Sequence, residues 1–147
     1  MKVVHLVVGV ICIALVGAAG MWGAWCWFRV RQSRIFWLLL RVGQATVVLE
    51  AALGVVLVAM GKKEPSLHLI YGLLPLAVSF VGEQLRIASA QAVLDSRGHE
   101  SAAAVGRLPA DEQQQLVVSI MQRELGVMVL TALVMLGLLA RAAGTGG

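Results

Sequence analysis

Two histidines and one glutamate are the residues of this chain best suited to chemistry. Glu50 sits inside the apolar run "VVLEAALGVVLVAMG". His5 lies near the start of the chain, and His68 follows the charged break "GKKEPSL". An ionisable group inside an apolar span is costly, so it normally faces the protein interior and has a partner. Glu50 could therefore be the coupling acid of a small proton-linked transporter. Such a path needs further polar groups stepping through the span. Gln44, Thr46, Ser79 and Thr131 are the ones present. His5 and His68 could together ligate a b-type haem or hold a quinone, with Gly9 and Gly72 clearing space. Each histidine lies close to the end of its apolar stretch, and no second pair exists. A structural or interfacial role is the simpler expectation, and no cofactor is predicted.

A second group of charges lies near the ends of the apolar runs. Glu83 and Arg86 are spaced i,i+3, so they share a helix face and can pair. Arg41 and Glu124 can join them from neighbouring helices. Arg141 can reach Glu50 from the far end of the last apolar run. Arg41, Glu50, Glu83, Arg86, Glu124 and Arg141 are thus expected to form a buried polar network that fixes helix register. No GxSxG, HExxH or P-loop pattern accompanies them, so no catalytic residue and no enzyme activity is predicted. Cys12 and Cys26 lie nearly four helical turns apart on one stretch and cannot bridge each other within a helix. No metal-ligand spacing of His and Cys is present.

These residues must be positioned by helices in a membrane. The 147 residues are 59% hydrophobic and 14% charged, against about 25% charged in a soluble domain. Mean hydropathy is +0.86. Four stretches can span a bilayer, which takes about 20 apolar residues: about 3–28, 35–60, 68–85 and 125–143. The fold class is all-α, a single four-helix transmembrane domain in the cell membrane. The first span is too long for a signal peptide and lacks a clean A-x-A site, so it is expected to stay uncleaved. The net charge of +4 does not point to nucleic acid, because the basic residues flank apolar runs instead of forming a patch.

Orientation follows the basic residues. Arg29, Arg31, Arg34, Arg41, Arg86, Arg97, Arg107 and Arg123 surround the first and third loops. Lys2, Lys62, Lys63 and Arg141 lie on the other side. This places the first and third loops in the cytoplasm and both termini outside. Trp25, Trp27 and Trp37 then form an inner interfacial belt, and Tyr71 marks the outer interface. Helices three and four are expected to extend into the cytoplasm through "EQLRIASAQAVLD" and "LPADEQQQLVVSIMQRELGV", joined by a loop holding His99. Asp111 is the expected cap of the fourth helix. Pro65 suits the first turn of the third, capped by Ser66 or Glu64. Pro75 would kink that helix or open its backbone. Gly17, Gly20 and Ala24 give one helix face small residues for close packing.

Taken in order, "FWLLLRVGQ", "LHLIYG", "VGEQLRIASAQAVL", "QRELGVM" and "LLARAAGTG" resemble a family of small four-span actinobacterial membrane proteins. The resemblance covers most of the chain. It implies an accessory subunit of the respiratory chain, of the kind described as supercomplex association factors, where cytochrome bcc joins an aa3-type oxidase in electron transport. It implies a non-catalytic role in stabilising subunit packing, with membrane lipids and larger respiratory subunits as partners. It transfers no catalytic residue.

Overall fold

The computed structural model describes residues 2–61, 65–98 and 102–146. They form α1 (Lys2–Phe28), α2 (Arg34–Ala59), α3 (Ser66–Ser96), the single-turn α4 (Ala102–Val105) and α5 (Ala110–Thr145). No strand occurs among the described residues. The four long helices are each long and apolar enough to cross a membrane. At about 1.5 Å per residue, α3 and α5 are roughly 46 and 54 Å long, well beyond the roughly 30 Å of a hydrocarbon core.

Connections between the helices are set by local backbone chemistry. Val30 closes α1 with a left-handed φ of 52°. Its N–H donates to Trp27 O and the Arg31 N–H donates to Cys26 O, the bond pattern of a Schellman cap. A β-branched residue is strained in that conformation. Ser33 then caps α2, accepting from the Phe36 N–H at 3.3 Å and from the Trp22 indole N–H at 2.9 Å. One hydroxyl thus starts α2 and ties it to α1. Gly61, with φ 77°, turns the chain after α2, and Gly98, with φ 73°, turns it after α3.

Both expected helix starts need correction. Pro65 is itself the N-cap residue of α3, and Ser66 is the first helical residue without a capping bond. Glu64, Lys62, Lys63 and His99 lie outside the described residues. Pro109, not Asp111, is the N-cap residue of α5. Its extended ψ of 149° already delivers the chain into the helix at Ala110. Asp111 and Glu112 fall in the first turn, where their charge favours the helix dipole. The Gln113 amide ties this start to the preceding turn by donating to Leu108 O at 2.8 Å. Through Pro75 the helix α3 continues unbroken.

Around the bundle, α1 packs on α2 and α5, and α3 packs on α5 and α2. Thus α1 and α3 are diagonal, as are α2 and α5. The α2–α3 seam is the sparsest of the four. One end of the bundle gathers the start of α1, the end of α2, the start of α3 and the end of α5. We refer to it as the termini end, and to the opposite as the arginine end.

The small-residue face of α1 meets α5. Gly20 lies against Leu133 and Ala132, and Gly17 lies against Leu136. Ala24 packs on the cluster of Ala19, Cys26, Phe36, Leu40, Leu125, Met128, Val129 and Ala132. Gly126 on α5 makes room for the Trp27 indole. A second layer, Cys12, Val16, Val47, Met135 and Leu139, fills the middle. A third small core, Val93, Leu94 and Leu116 with Val105 and Leu108 against it, holds the α3 and α5 extensions together under α4.

This packing predicts a contrast between two glycines. A Cβ at Gly23 would stand 2.6 Å from Phe36 Cδ2 and 2.7 Å from Val129 Cγ2, both on buried side chains. Gly23→Ala is expected to destabilise the bundle by about 1–3 kcal/mol, as overpacking does. Gly137 meets nothing within 4 Å. Gly137→Ala is expected to be neutral or to stabilise by up to about 1 kcal/mol through helix propensity. Thermal melts followed by circular dichroism in one detergent compare the two.

Candidate functional site

Two polar centres lie inside the bundle, and each is built from neighbouring helices. At the termini end, α1 supplies His5, α2 supplies Glu50, α3 supplies His68, and α5 supplies the backbone of its last turn. His5 Nδ1 stands 3.0 Å from Glu50 Oε1, with the two side chains 22% and 16% exposed. His68 Nδ1 lies 2.9 Å from the Ala142 carbonyl oxygen. A carbonyl only accepts, so Nδ1 of His68 carries the hydrogen and donates it. The bond also serves a carbonyl at a helix end, where intrahelical partners run out. The two imidazoles meet across the diagonal, with ring centroids 5.9 Å apart and planes at 80°.

Glycines make this meeting possible. A Cβ at Gly9 would lie 2.8 Å from Glu50 Oε1, and one at Gly146 would lie 2.9 Å from His68 Nδ1. Gly72 has nothing near it and leaves open space. The result is a cavity of about 380 Å³ between the four helices, lined by Lys2, His5, Glu50, Gly54, His68 and Gly72 among mostly apolar neighbours. Glu50 Oε2 is buried there without a hydrogen-bond partner. Val47 and Leu139 line the cavity and belong to the apolar layer of Cys12, Val16, Val47, Met135 and Leu139, each no more than 5% exposed.

Toward the arginine end, Glu83 on α3 is the hub of an ion network. Arg41 on α2 binds both its oxygens, through Nη1 to Oε1 and through Nη2 to Oε2 at 3.3 Å. Arg86 Nε donates to Oε2 at 3.2 Å, and Gln44 Nε2 donates to Oε1 at 3.1 Å. Gln44 also accepts from Arg41 at 2.8 Å and reaches the Ser79 hydroxyl at 3.0 Å. Arg86 Nη1 continues to Glu124 Oε1 on α5 at 3.3 Å. Trp37 stands beside both guanidinium groups, 6.0 Å from Arg41 and 5.8 Å from Arg86. Two arginines and two glutamates balance in charge.

The structure therefore divides the six charges expected in one network. Arg41, Glu83, Arg86 and Glu124 come together. Glu50 and Arg141 do not join them and do not pair with each other. Ala142 faces the core, so Arg141, one residue earlier, points about 100° around the helix. Its guanidinium lies 5.9 Å from the Tyr71 ring on α3. Glu50 is on α2, diagonal to α5, and takes its partner from α1 instead. Sequence reasoning missed Gln44 and Ser79 as network members. Their positions, three residues after Arg41 and four before Glu83, were the available signal. His68, for which a structural or interfacial role was expected, bonds the backbone of α5.

The two centres differ in what they can do. The network is closed on itself across three helices and serves as a fastening. The cavity combines two imidazoles, a carboxylate oxygen without a hydrogen-bond partner and room for a ligand. The apolar layer of Cys12, Val16, Val47, Met135 and Leu139 lies between the two. Among the described residues, no group of three or more His, Cys, Asp or Glu side chains is placed to hold a metal ion. Comparisons with protein-family models, curated proteins and solved structures return no match for this chain.

The hub position of Glu83 predicts unequal costs within the network. Glu83→Ala strands Arg41 and Arg86 and is expected to cost about 1–3 kcal/mol, between exposed and buried ion pairs. Glu124→Ala removes one 3.3 Å contact and is expected to cost less. Melting temperatures of the two variants in the same detergent check the order.

Proposed function

We propose that this protein is a non-catalytic accessory subunit of a respiratory membrane complex of the cytochrome bcc–aa3 type. It sits in the cell membrane with both termini outside and the α3–α5 extension in the cytoplasm, and it stabilises the packing of larger subunits. Two things support the reading. One is the resemblance carried by "FWLLLRVGQ", "LHLIYG" and "VGEQLRIASAQAVL". The other, which carries the structural side, is a groove of about 370 Å³ along the α3–α5 seam.

Ala77, Val78, Val81, Gly82, Leu130 and Val134 line most of this groove. Apart from Leu85 and Leu130 its residues are small or β-branched, and Ala77 and Gly82 in particular let a further transmembrane helix approach closely. It also lies on the most outward-facing helix. In its most apolar window α3 is 11% buried, whereas α5 is 50% buried. The α3–α5 extension continues the same seam beyond the apolar run, offering the same partner a second contact outside the hydrocarbon.

The cavity at the termini end favours a second, compatible reading, in which the subunit also holds a ligand through His5 and His68. Quinone and haem are the ligands that those residue types suggest in a respiratory setting. Space beside the His68 ring is narrow on the α5 side, where even a Cβ at position 146 would stand 2.9 Å from His68 Nδ1.

Extraction in mild detergents tests the subunit reading. The tagged protein is expected to bring cytochrome subunits with it. Val81→Trp, which blocks the groove from an exposed position, is expected to lose them while its circular dichroism melt stays unchanged. Recovery as a free monomer or homo-oligomer across several detergents overturns the reading.

A further inference from the structure

We infer that the turn between α1 and α2, with the adjacent turn of α5, is a docking surface for anionic phospholipid headgroups at the arginine end of the bundle. The inference goes beyond the subunit reading and does not depend on it.

Charge is the first observation. Arg29, Arg31, Arg34 and Arg123 are all exposed. The Gln122 amide donates to Trp27 O at 2.9 Å, which sets Arg123 level with the α1–α2 turn. Among the described residues, none of these four guanidinium groups has an ion pair or a hydrogen bond. The nearby network does not supply one, because its carboxylates, Glu83 and Glu124, are taken by Arg41 and Arg86. The other described carboxylates of this end, Asp95, Asp111 and Glu112, lie out on the α3–α5 extension. Measured along the helices from Arg86 and its partner Glu124, they stand about 13–20 Å further out, beyond a Debye length of about 8 Å.

Depth is the second. Arg29 stacks on the Trp25 ring, 4.6 Å from its centroid. Trp25, Trp27 and Phe28 are themselves exposed beside it. Tryptophan settles at the headgroup level of a bilayer. The arginines are thereby carried at the depth of the lipid phosphates. A partner that matches this surface has negative charge above an apolar body, and an anionic phospholipid has both. Nucleic acid or an acidic soluble protein brings the charge without the body.

The third is that the turn is held in shape. The Arg29 N–H donates to Trp25 O at 3.0 Å and the Arg31 N–H to Cys26 O at 2.9 Å. Ser33 accepts from the Trp22 indole and caps α2. Three of the four charges are therefore presented on a fixed backbone, which lowers the ordering cost of binding.

All four tryptophans of the chain, Trp22, Trp25, Trp27 and Trp37, belong to this end, so their fluorescence reports contact there. The test reconstitutes the full-length protein in equimolar phosphatidylglycerol and phosphatidylcholine, with one lipid or the other carrying brominated chains that quench tryptophan on contact. At low salt, phosphatidylglycerol is expected to be preferred at least about threefold. Raising salt to about 1 M, where the Debye length falls to about 3 Å, is expected to bring the preference toward one. That measurement needs no variant to fold. Arg31→Gln, Arg34→Gln and Arg123→Gln combined are expected to lose the preference while the circular dichroism melt stays unchanged, since these side chains are exposed. Arg97→Gln with Arg107→Gln, on the extension, is expected to retain it. A preference indifferent to salt, one that survives the triple variant, or one abolished by the extension variant would each overturn the inference. Equal quenching by the two lipids at low salt overturns it too, and leaves the arginines to a soluble polyanion.

Discussion

The carboxylate of Glu83 is the interaction on which the bundle's arrangement most depends. In lipid, apolar side chains gain little by leaving one apolar neighbour for another, so association relies on close packing and polar contacts between helices. The α2–α3 seam has the least packing of the four. It is held by Arg41 gripping Glu83 and by Gln44 reaching Ser79 and Glu83. Without these bonds α3 would be held to α2 by that sparse packing alone. Glu83 must in turn be matched, because an unpaired carboxylate inside an apolar bundle is strongly unfavourable. Four donated hydrogen bonds from three side chains satisfy it.

This fastening is possible because the rest of the interior is left to packing. The helix face of Gly17, Gly20 and Gly23 brings α1 close to α5, where Leu133, Leu136 and Val129 fill the spaces left by missing side chains. The buried polar residues Ser89 and Thr131 bond carbonyls of their own helices and make no demand on the core. The apolar layer around Met135 then divides the molecule. Polar chemistry survives at two levels, one fully engaged and one with space beside it.

Much of this was legible in the residues. Apolar run length showed four long helices, and the i,i+3 spacing of Glu83 and Arg86 showed one pair. What failed was pairing across helices. Sequence showed that Glu50 and Arg141 lie near the same end, but not that α2 and α5 sit on a diagonal. It also did not show that a one-residue step from Ala142 turns Arg141 toward Tyr71. Turn chemistry was hidden for a different reason. A valine at a left-handed position, as at Val30, gives no sequence signal, since glycine is the residue expected there. Ser33 did carry a signal, a hydroxyl just before an apolar run, but nothing in sequence reveals its second bond from Trp22. The cavity needed the structure outright, because it exists only where glycines on α1, α2, α3 and α5 meet two imidazoles from diagonal helices.

The polar ties together account for why the bundle has one arrangement. Each of the four neighbouring helix pairs carries at least one. Trp22 to Ser33 and His5 to Glu50 join α1 and α2 at opposite ends. Arg41 to Glu83 joins α2 and α3. Arg86 to Glu124 and His68 to Ala142 O join α3 and α5, again at opposite ends. The Gln122 amide, donating to Trp27 O at 2.9 Å, joins α1 and α5. Apolar helix surfaces can slide by a turn at small cost, since each ridge finds a similar groove. A hydrogen bond lost in an apolar medium has no replacement from water. Ties at both ends of a helix pair fix its register and its crossing angle at once. The histidines therefore have a structural task whatever else they do. The His68–Ala142 bond and the His5–Glu50 contact that tie α3 to α5 and α1 to α2 also bring the two imidazoles to the cavity, so the site is assembled by the fold that it helps to close.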